Sequence, residues 1–200
     1  MILHEWGPIP YIEAMEGMRR IHSEAVEDGK AHLILCSHPA VFTVGRGEKR
    51  EFPVETVRSD RGGSISCHSE GQAIFYFCFQ VEEAASFHRR VCRVFSDFFR
   101  NYLPSARYER ERPGWYIENR KIASIALRYG KSVSMHGVAL NADVDLLLHS
   151  LVPPCNLEGV LPTSLKAEGV CMDVDGVFEK TLPLICNIFR ERVEERRGWI

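Results

Sequence analysis

Apolar positions recur along this chain with two periods, and the alternation between them lays out the fold. Tyr11, Met15, Met18, Ile21 and Ala25 fall at helical spacing and stop at Gly29, which predicts an amphipathic helix over about 10–27. Leu33–Cys36 and Val41–Val44 are short apolar runs split at His38-Pro39, and they read as buried strands. Ala73–Phe79 is apolar on both faces, as a central strand covered from each side would be. Phe87, Val91, Val94, Phe95, Phe98 and Tyr102 return to helical spacing and end before Pro104. Trp115–Ile117 and Ile122–Leu127 flank Glu118-Asn119-Arg120, a hairpin signal. Val133–Asn141 predicts another strand, with Asp143 capping a short helix over 144–151 and a last helix over about 178–196.

Between these elements lie two polar or irregular stretches. Residues 45–63 carry Gly45-Arg46-Gly47, Glu48-Lys49-Arg50 and Arg61-Gly62-Gly63, a composition that suggests a mobile loop ending in a glycine turn. Residues 152–162 are proline-rich. There is no internal repeat and no linker, so the expectation is one α/β (α+β) domain over 1–200 with a mixed, partly antiparallel sheet flanked by helices. Two hundred residues can bury about 70% of the unfolded surface in one core.

Composition narrows the function mainly by exclusion. A net charge of −2 argues against a nucleic-acid binder. No apolar run approaches the roughly 20 residues of a membrane span. The segment Met1–Trp6 has neither the basic nor the apolar region of a signal peptide, so a cytoplasmic protein is expected. Seven scattered cysteines without a Cys-x-x-Cys pair fit neither a disulfide framework nor a zinc ribbon. Most are expected to be buried apolar groups. Only Cys67 and Cys155 stand in a chemical context.

Three segments carry that context. Arg61, Gly62, Gly63, Ser64, Ile65, Ser66, Cys67 and His68 form the densest polar stretch before the central strand. Paired glycines let backbone approach a ligand, Arg61 can order the turn or meet an anion, and His68 is a donor, acceptor or base near neutral pH. On composition alone the plainer reading is a glycine hairpin with a solvated histidine. Lys121 is followed by Ile122, Ala123 and Ile125, which would set it at the core's edge, where desolvation lowers an amine pKa. In isolation a snorkelling hairpin lysine is the commoner case. Cys155 follows Pro153-Pro154 and precedes Asn156, a stiff loop that can present a thiol. With a lysine to take its proton, that thiol is the skeleton of a covalent acyl-transfer site. His136-Gly137 is expected at a strand end facing the same cleft. Arg107, Arg110, Arg112 and Lys49-Arg50 read as solvated faces or as steering charges for an acidic partner.

Taken in order, these segments resemble the lipoyl(octanoyl) transferases. The matching stretches are Ser37–Arg46, Asp60–His68 with Gly71-Gln72, Pro113–Ile117, Lys121–Ile125, Ser134–Asn141, Pro154-Cys155 and Thr163–Leu165. The resemblance implies the fold of biotin and lipoate protein ligases, with an acyl tunnel beside the active site. It implies that Cys155 is the nucleophile, that Lys121 lowers its pKa, and that 61–68, Ser124, Ile125, Ala126, Gly137, Val138 and Ala139 line the acyl site with His136 nearby. The donor would be octanoyl-acyl carrier protein. The acceptor would be a lysine of a lipoyl-domain protein, such as a 2-oxoacid dehydrogenase E2 subunit or the glycine cleavage H protein. Exchanging a thioester for an amide runs downhill, so no ATP, metal or organic cofactor is expected. Ser69-Glu70 stands where that family has Gly-Pro or Ala-Pro, Asn156 and Ala126 replace glycines, and Ser37 replaces a glutamate. An ATP-dependent ligase of the same fold and a catalytically idle partner-binding homologue are the rival readings.

Overall fold

The computed structural model describes residues 1–153 and 159–199. Ile2–Pro8 forms β1, and Tyr11–Asp28 forms α1 behind Pro10, ending at Gly29 in a left-handed conformation. His32–Ser37 (β2) then pairs parallel to β1. The chain continues through β3 (Val41–Val44), β4 (Thr56–Arg58), β5 (Ile65–His68), β6 (Gln72–Cys78), α2 (Ala84–Tyr102), β7 (Arg107–Glu109) and β8 (Gly114–Ile117). It ends with β9 (Arg120–Gly130), β10 (Val133–Asn141), α3 (Leu146–His149), β11 (Leu161–Pro162), α4 (Val174–Phe189) and β12 (Glu195–Gly198).

Among the described residues a nine-stranded mixed sheet runs in the order β12-β1-β2-β6-β10-β9-β8-β7, with β11 alongside β9. A second sheet, β4-β3-β5, has three strands. The central strand β6 is buried at every position, as its unbroken apolar run requires. One face packs under α2 and α4 through Phe75, Phe77, Phe95 and Phe98, and the other packs under α1 through Met15, Met18, Ile34, Ile74 and Tyr76. Covering both faces with about 30 and 16 buried residues supplies the dominant apolar term in folding.

Several expectations are corrected. Asp145, not Asp143, caps α3 by accepting the Leu147 and Leu148 N–H groups, while Asp143 pairs with Lys166. The last helix stops at Phe189, because Arg190 is left-handed (φ 56°), and the chain then pairs as β12 in parallel with β1. The stretch 45–63 is tied down rather than loose. It contributes β4, and Gly45, Arg46 and Ser59 bond back to Ser64, Arg61 and Val44. β5 and β6 are no hairpin, since they belong to different sheets. No helix among the described residues is long and apolar enough to cross a membrane.

Candidate active site

The site lies where the α1 face of the large sheet meets the small sheet. β10 pairs with β9 and β6 so that Ala126, Gly137 and Tyr76 form one cross-strand row and Ser124, Ala139 and Ile74 the next. Side chains alternate faces along a strand, so Ala126, Tyr76, Ser124, Ala139 and Ile74 point the same way, while Gly137 leaves bare backbone in the row because a Cβ there would meet the Phe75 carbonyl and the Phe77 ring. Both rows floor a hollow that Tyr11, Arg61, Ser66 and His68 roof. A second hollow shares Ser66 and Ser124 and adds Ile65, Cys67, Gln72, Lys121, Asn141, His149, Val152 and Pro162. Together they make one cleft, the two parts holding about 370 and 400 Å³ counting the space at their mouths, within the size range of small-molecule sites.

Lys121 sits at the head of this cleft and is only 3% exposed. The snorkelling reading is therefore overturned. Its Nζ donates to the Pro113 carbonyl (3.2 Å) and stands 5.2 Å from the centre of the Tyr116 ring. Gly114 makes the room. A Cβ there would meet the Lys121 Cε at 2.7 Å and the Ala123 carbonyl at 2.6 Å, and its φ of +151° suits glycine. Pro162 pairs with Lys121 in register, and the Thr163 N–H donates to the Lys121 carbonyl (3.0 Å). Cys155, proposed from the sequence as the nucleophile, lies outside the described residues, as does Asn156.

His68 is buried too, so it is not the solvated turn histidine that composition favoured. A polar relay fixes its tautomer. The Thr163 carbonyl can only accept, so Asn141 Nδ2 donates to it (2.8 Å). Asn141 Oδ1 then accepts from Gln72 Nε2 (2.8 Å), and Gln72 Oε1 accepts from His68 Nδ1–H (2.8 Å). His68 is thus neutral at Nε2, which has no partner among the described residues. Burial first, then the neighbouring His38 and Arg61, hold its pKa well below the ordinary histidine value. Its ring stacks on Tyr11 at 5.6 Å and meets His38 edge-on at 5.7 Å.

His136 lies within β10 rather than at its end, with an unusual φ of 61°. Its Nε2 bonds Asp60 Oδ1 at 2.7 Å, and Arg128 takes the other Asp60 oxygen. The His136 hydrogen bond is the main reason that the Asp60 carboxyl falls to about 2. Burial keeps the His136 pKa lowered, outweighing Asp60. Arg61 orders its turn, donating to the Thr43 carbonyl (2.7 Å) and Oγ1 (2.8 Å) and to the Gly62 carbonyl (2.9 Å).

The sequence-derived set is therefore mostly, not wholly, assembled here. Arg61, Ile65, Ser66, Cys67, His68, Lys121, Ser124, Ala126, His136, Gly137, Val138 and Ala139 line the cleft. Gly62, Gly63 and Ser64 do not. Ser64 turns to Glu48 and Arg50 instead. Ile125 faces the opposite core, as alternation along β9 demands. The Cys67 thiol is pushed up to about 12 by burial and by Asp145, so it is a poor nucleophile. Tyr11, Gln72, Asn141 and His149 also line the cleft. Gln72 and Asn141 stood inside the matching motifs. His149 had no signal beyond its place after Asp145.

Residues 10–178 match the lipoyl protein ligase A/B catalytic domain family. An octanoyltransferase of Pseudomonas putida is 33% identical over 185 residues, covering 86% of this chain and 85% of the relative. One from Psychromonas ingrahamii is 34% identical over 178 residues, covering 84% and 82%. Among solved structures, a lipoate-protein ligase A bound with ATP superposes with a TM-score of 0.77 at 16% identity, covering all of this chain and 90% of the other. A bipartite lipoate protein ligase from Thermoplasma acidophilum gives 0.75 at 15% identity, covering 98% and 86%. At such identities the structural likeness speaks for the fold.

Proposed function

The chain belongs to the lipoyl protein ligase A/B catalytic domain family, and from that premise we propose that it carries an octanoyl group from an acyl-carrier-protein thioester to a lysine of a lipoyl domain, through an acyl-enzyme on Cys155. At the coarser level it is an octanoyltransferase of lipoate biosynthesis, as its curated relatives are named octanoyltransferases and match over most of their length. The observation that carries the finer reading is the buried Lys121 in a cleft also lined by Val152 and Pro162, which precede and follow Cys155 in the sequence.

In this reaction the Cys155 thiol gives its proton to the Lys121 amine, and the thiolate attacks the thioester carbonyl. The carbon–sulfur bond to the carrier breaks, and the carrier thiolate takes the proton back from Lys121. The amine of the target lysine then attacks the Cys155 thioester and loses a proton to Lys121. An amide forms, and Cys155 leaves as thiolate and is reprotonated. The acyl tail lies along the two rows Ala126–Gly137–Tyr76 and Ser124–Ala139–Ile74. The acceptor would be a lipoyl domain of an E2 subunit or the glycine cleavage H protein.

Intact mass after incubation with octanoyl-carrier protein tests this. The wild type should gain one octanoyl group and the Cys155→Ala variant none. An adduct retained in Cys155→Ala refutes the mechanism, and turnover of free octanoate only with ATP would favour a ligase.

A further inference from the structure

The turn between β5 and β6 joins His68, which lines one hollow, to Gln72, which lines the other. The Gln72 N–H donates to the Ser69 carbonyl (3.3 Å), and Gly71 has φ +79°. These are the marks of a type II turn with Glu70 in its second position, where a proline ring would preset φ. Glycine is required next. A Cβ on Gly71 would lie 2.0 Å from the Asp143 carbonyl oxygen. Glu70 leaves the turn without a ring to stiffen it, yet the turn must hold His68 on one side and Gln72 on the other.

A long-range hydrogen bond supplies what the backbone lacks. Ser69 is buried, and its Oγ lies 2.9 Å from Nε2 of His149, eighty positions away. His149 is the last residue of α3 and is itself buried against the Lys121 hollow. Ahead of it Asp145 caps the helix, and after it Val152 is buried with Val44 and Ile65. The Gly71 carbonyl accepts from the Ala142 and Asp143 N–H groups, so backbone already joins the turn to the end of β10. The Ser69–His149 bond extends that join to α3.

We propose that this hydrogen bond fixes the wall of the Lys121 hollow, and that His149 is a positioning residue for acyl transfer in place of a proline at position 70. The kinetic part rests on the acyl-enzyme reading above. Ser69→Ala and His149→Ala should each slow octanoyl adduct formation about tenfold, since small misplacements of a reacting pair are expensive. The half-saturating carrier concentration should stay unchanged. The double variant should be no slower than the slower single one, because both remove the same bond. His149→Gln, whose amide reaches the same place, should keep most of the rate, and Ser69→Ala/Glu70→Pro should recover it. Ile185→Val, in the core under α4, serves as the control that lowers thermal stability without slowing the adduct. Wild-type rates in Ser69→Ala and His149→Ala, additive losses, or no recovery with proline would overturn the proposal. Hydrogen exchange reads the bond without any chemistry. Ser69→Ala should speed exchange in 69–72 and 146–151 together, and acceleration in the turn alone would overturn the proposal. A wild type that takes no octanoyl group would instead refute the acyl-enzyme reading.

Discussion

The two ends of the cleft differ in how many polar side chains border them. At the head, Ser66, Gln72, Asn141, His149 and the buried Lys121 all border one hollow. At the far end, His68 Nε2 apart, the polar side chains are turned on one another or on backbone. His38 donates from Nδ1 to the Ile9 carbonyl (2.8 Å) and accepts at Nε2 from the Tyr76 hydroxyl (2.8 Å). Tyr11 donates to Ser59 (2.7 Å), His136 holds Asp60, and Arg61 is held by Thr43. What faces the hollow there is largely sheet floor and ring faces. The contrast teaches how one cleft serves a reactive head and an apolar tail. Burial keeps the far imidazoles neutral, so these rings can wall an apolar chain without presenting imidazolium to it, while Thr43 and the Gly62 carbonyl hold the Arg61 guanidinium.

The strongest blow to this contrast falls on its head. Lys121→Met keeps the apolar stem and removes the amine, and it should slow octanoyl adduct formation about a thousandfold, the scale of a lost acid–base group. Lys121→Arg separates two roles, because guanidinium supplies a cation but does not accept a proton. If proton transfer is the task, arginine should be nearly as slow as methionine. Rapid adduct formation in Lys121→Met, measured by quenched-flow mass spectrometry, would remove Lys121 from the mechanism, and rapid formation in Lys121→Arg alone would replace its proton transfer by electrostatic support.

Acid tests the far end next. Burial lowers the His38 pKa to about 4 from an ordinary 6.5. The folded state therefore binds fewer protons than the unfolded state between those values. The stability that neutral His38 confers is fully present above pH 6.5 and is lost as pH falls towards 4, by about 2 kcal/mol at pH 5. His38→Gln removes this titration. Urea unfolding at pH 7 and pH 5 should show a loss in the wild type that exceeds the variant's by about that amount. Equal losses would mean that His38 does not titrate with folding.

How much of this was legible depended on whether the signal was local. The strands of the floor were, because apolar runs announce them; Ser124 and Ala126 came to the cleft from the family resemblance, and alternation along β9 puts these two on one face. The same rule, applied strictly, would have excluded Ile125. The depth of Lys121 and His68 was not legible. Lys121 is buried through Gly114 and Tyr116, and His68 through Tyr11 and His38, contacts set by tertiary packing. Nor could spacing reveal the Ser69–His149 bond, whose partners stand on different elements. β12 escaped notice because Glu195-Arg196-Arg197-Gly198 has no apolar alternation. It is an exposed edge strand whose order comes from its pairing with β1.

The last test probes the floor itself. Ala139 lies between Ser124 and Ile74 in one cross-strand row, and its methyl borders the hollow. Ala139→Leu adds three carbons where, on the proposed reading, the acyl tail rests. Each methylene excluded from an apolar pocket changes the rate by roughly tenfold or more, but the open mouth of the hollow lets the ligand shift. Octanoyl adduct formation should fall about ten- to a hundredfold, with a four-carbon donor changed far less. The counterpart is Ile125→Leu, one residue from Ser124 but on the other face of β9, where Ile125 packs in the opposite core. That change is close to volume-conserving and should cost under about 1.5 kcal/mol of stability, leaving the eight- to four-carbon preference where it was. If Ala139→Leu slowed both donors equally, the added carbons would be disturbing the head and not the tail, and the division of the cleft would fail. If Ile125→Leu moved the preference instead, the tail would run on the α2 side of the sheet.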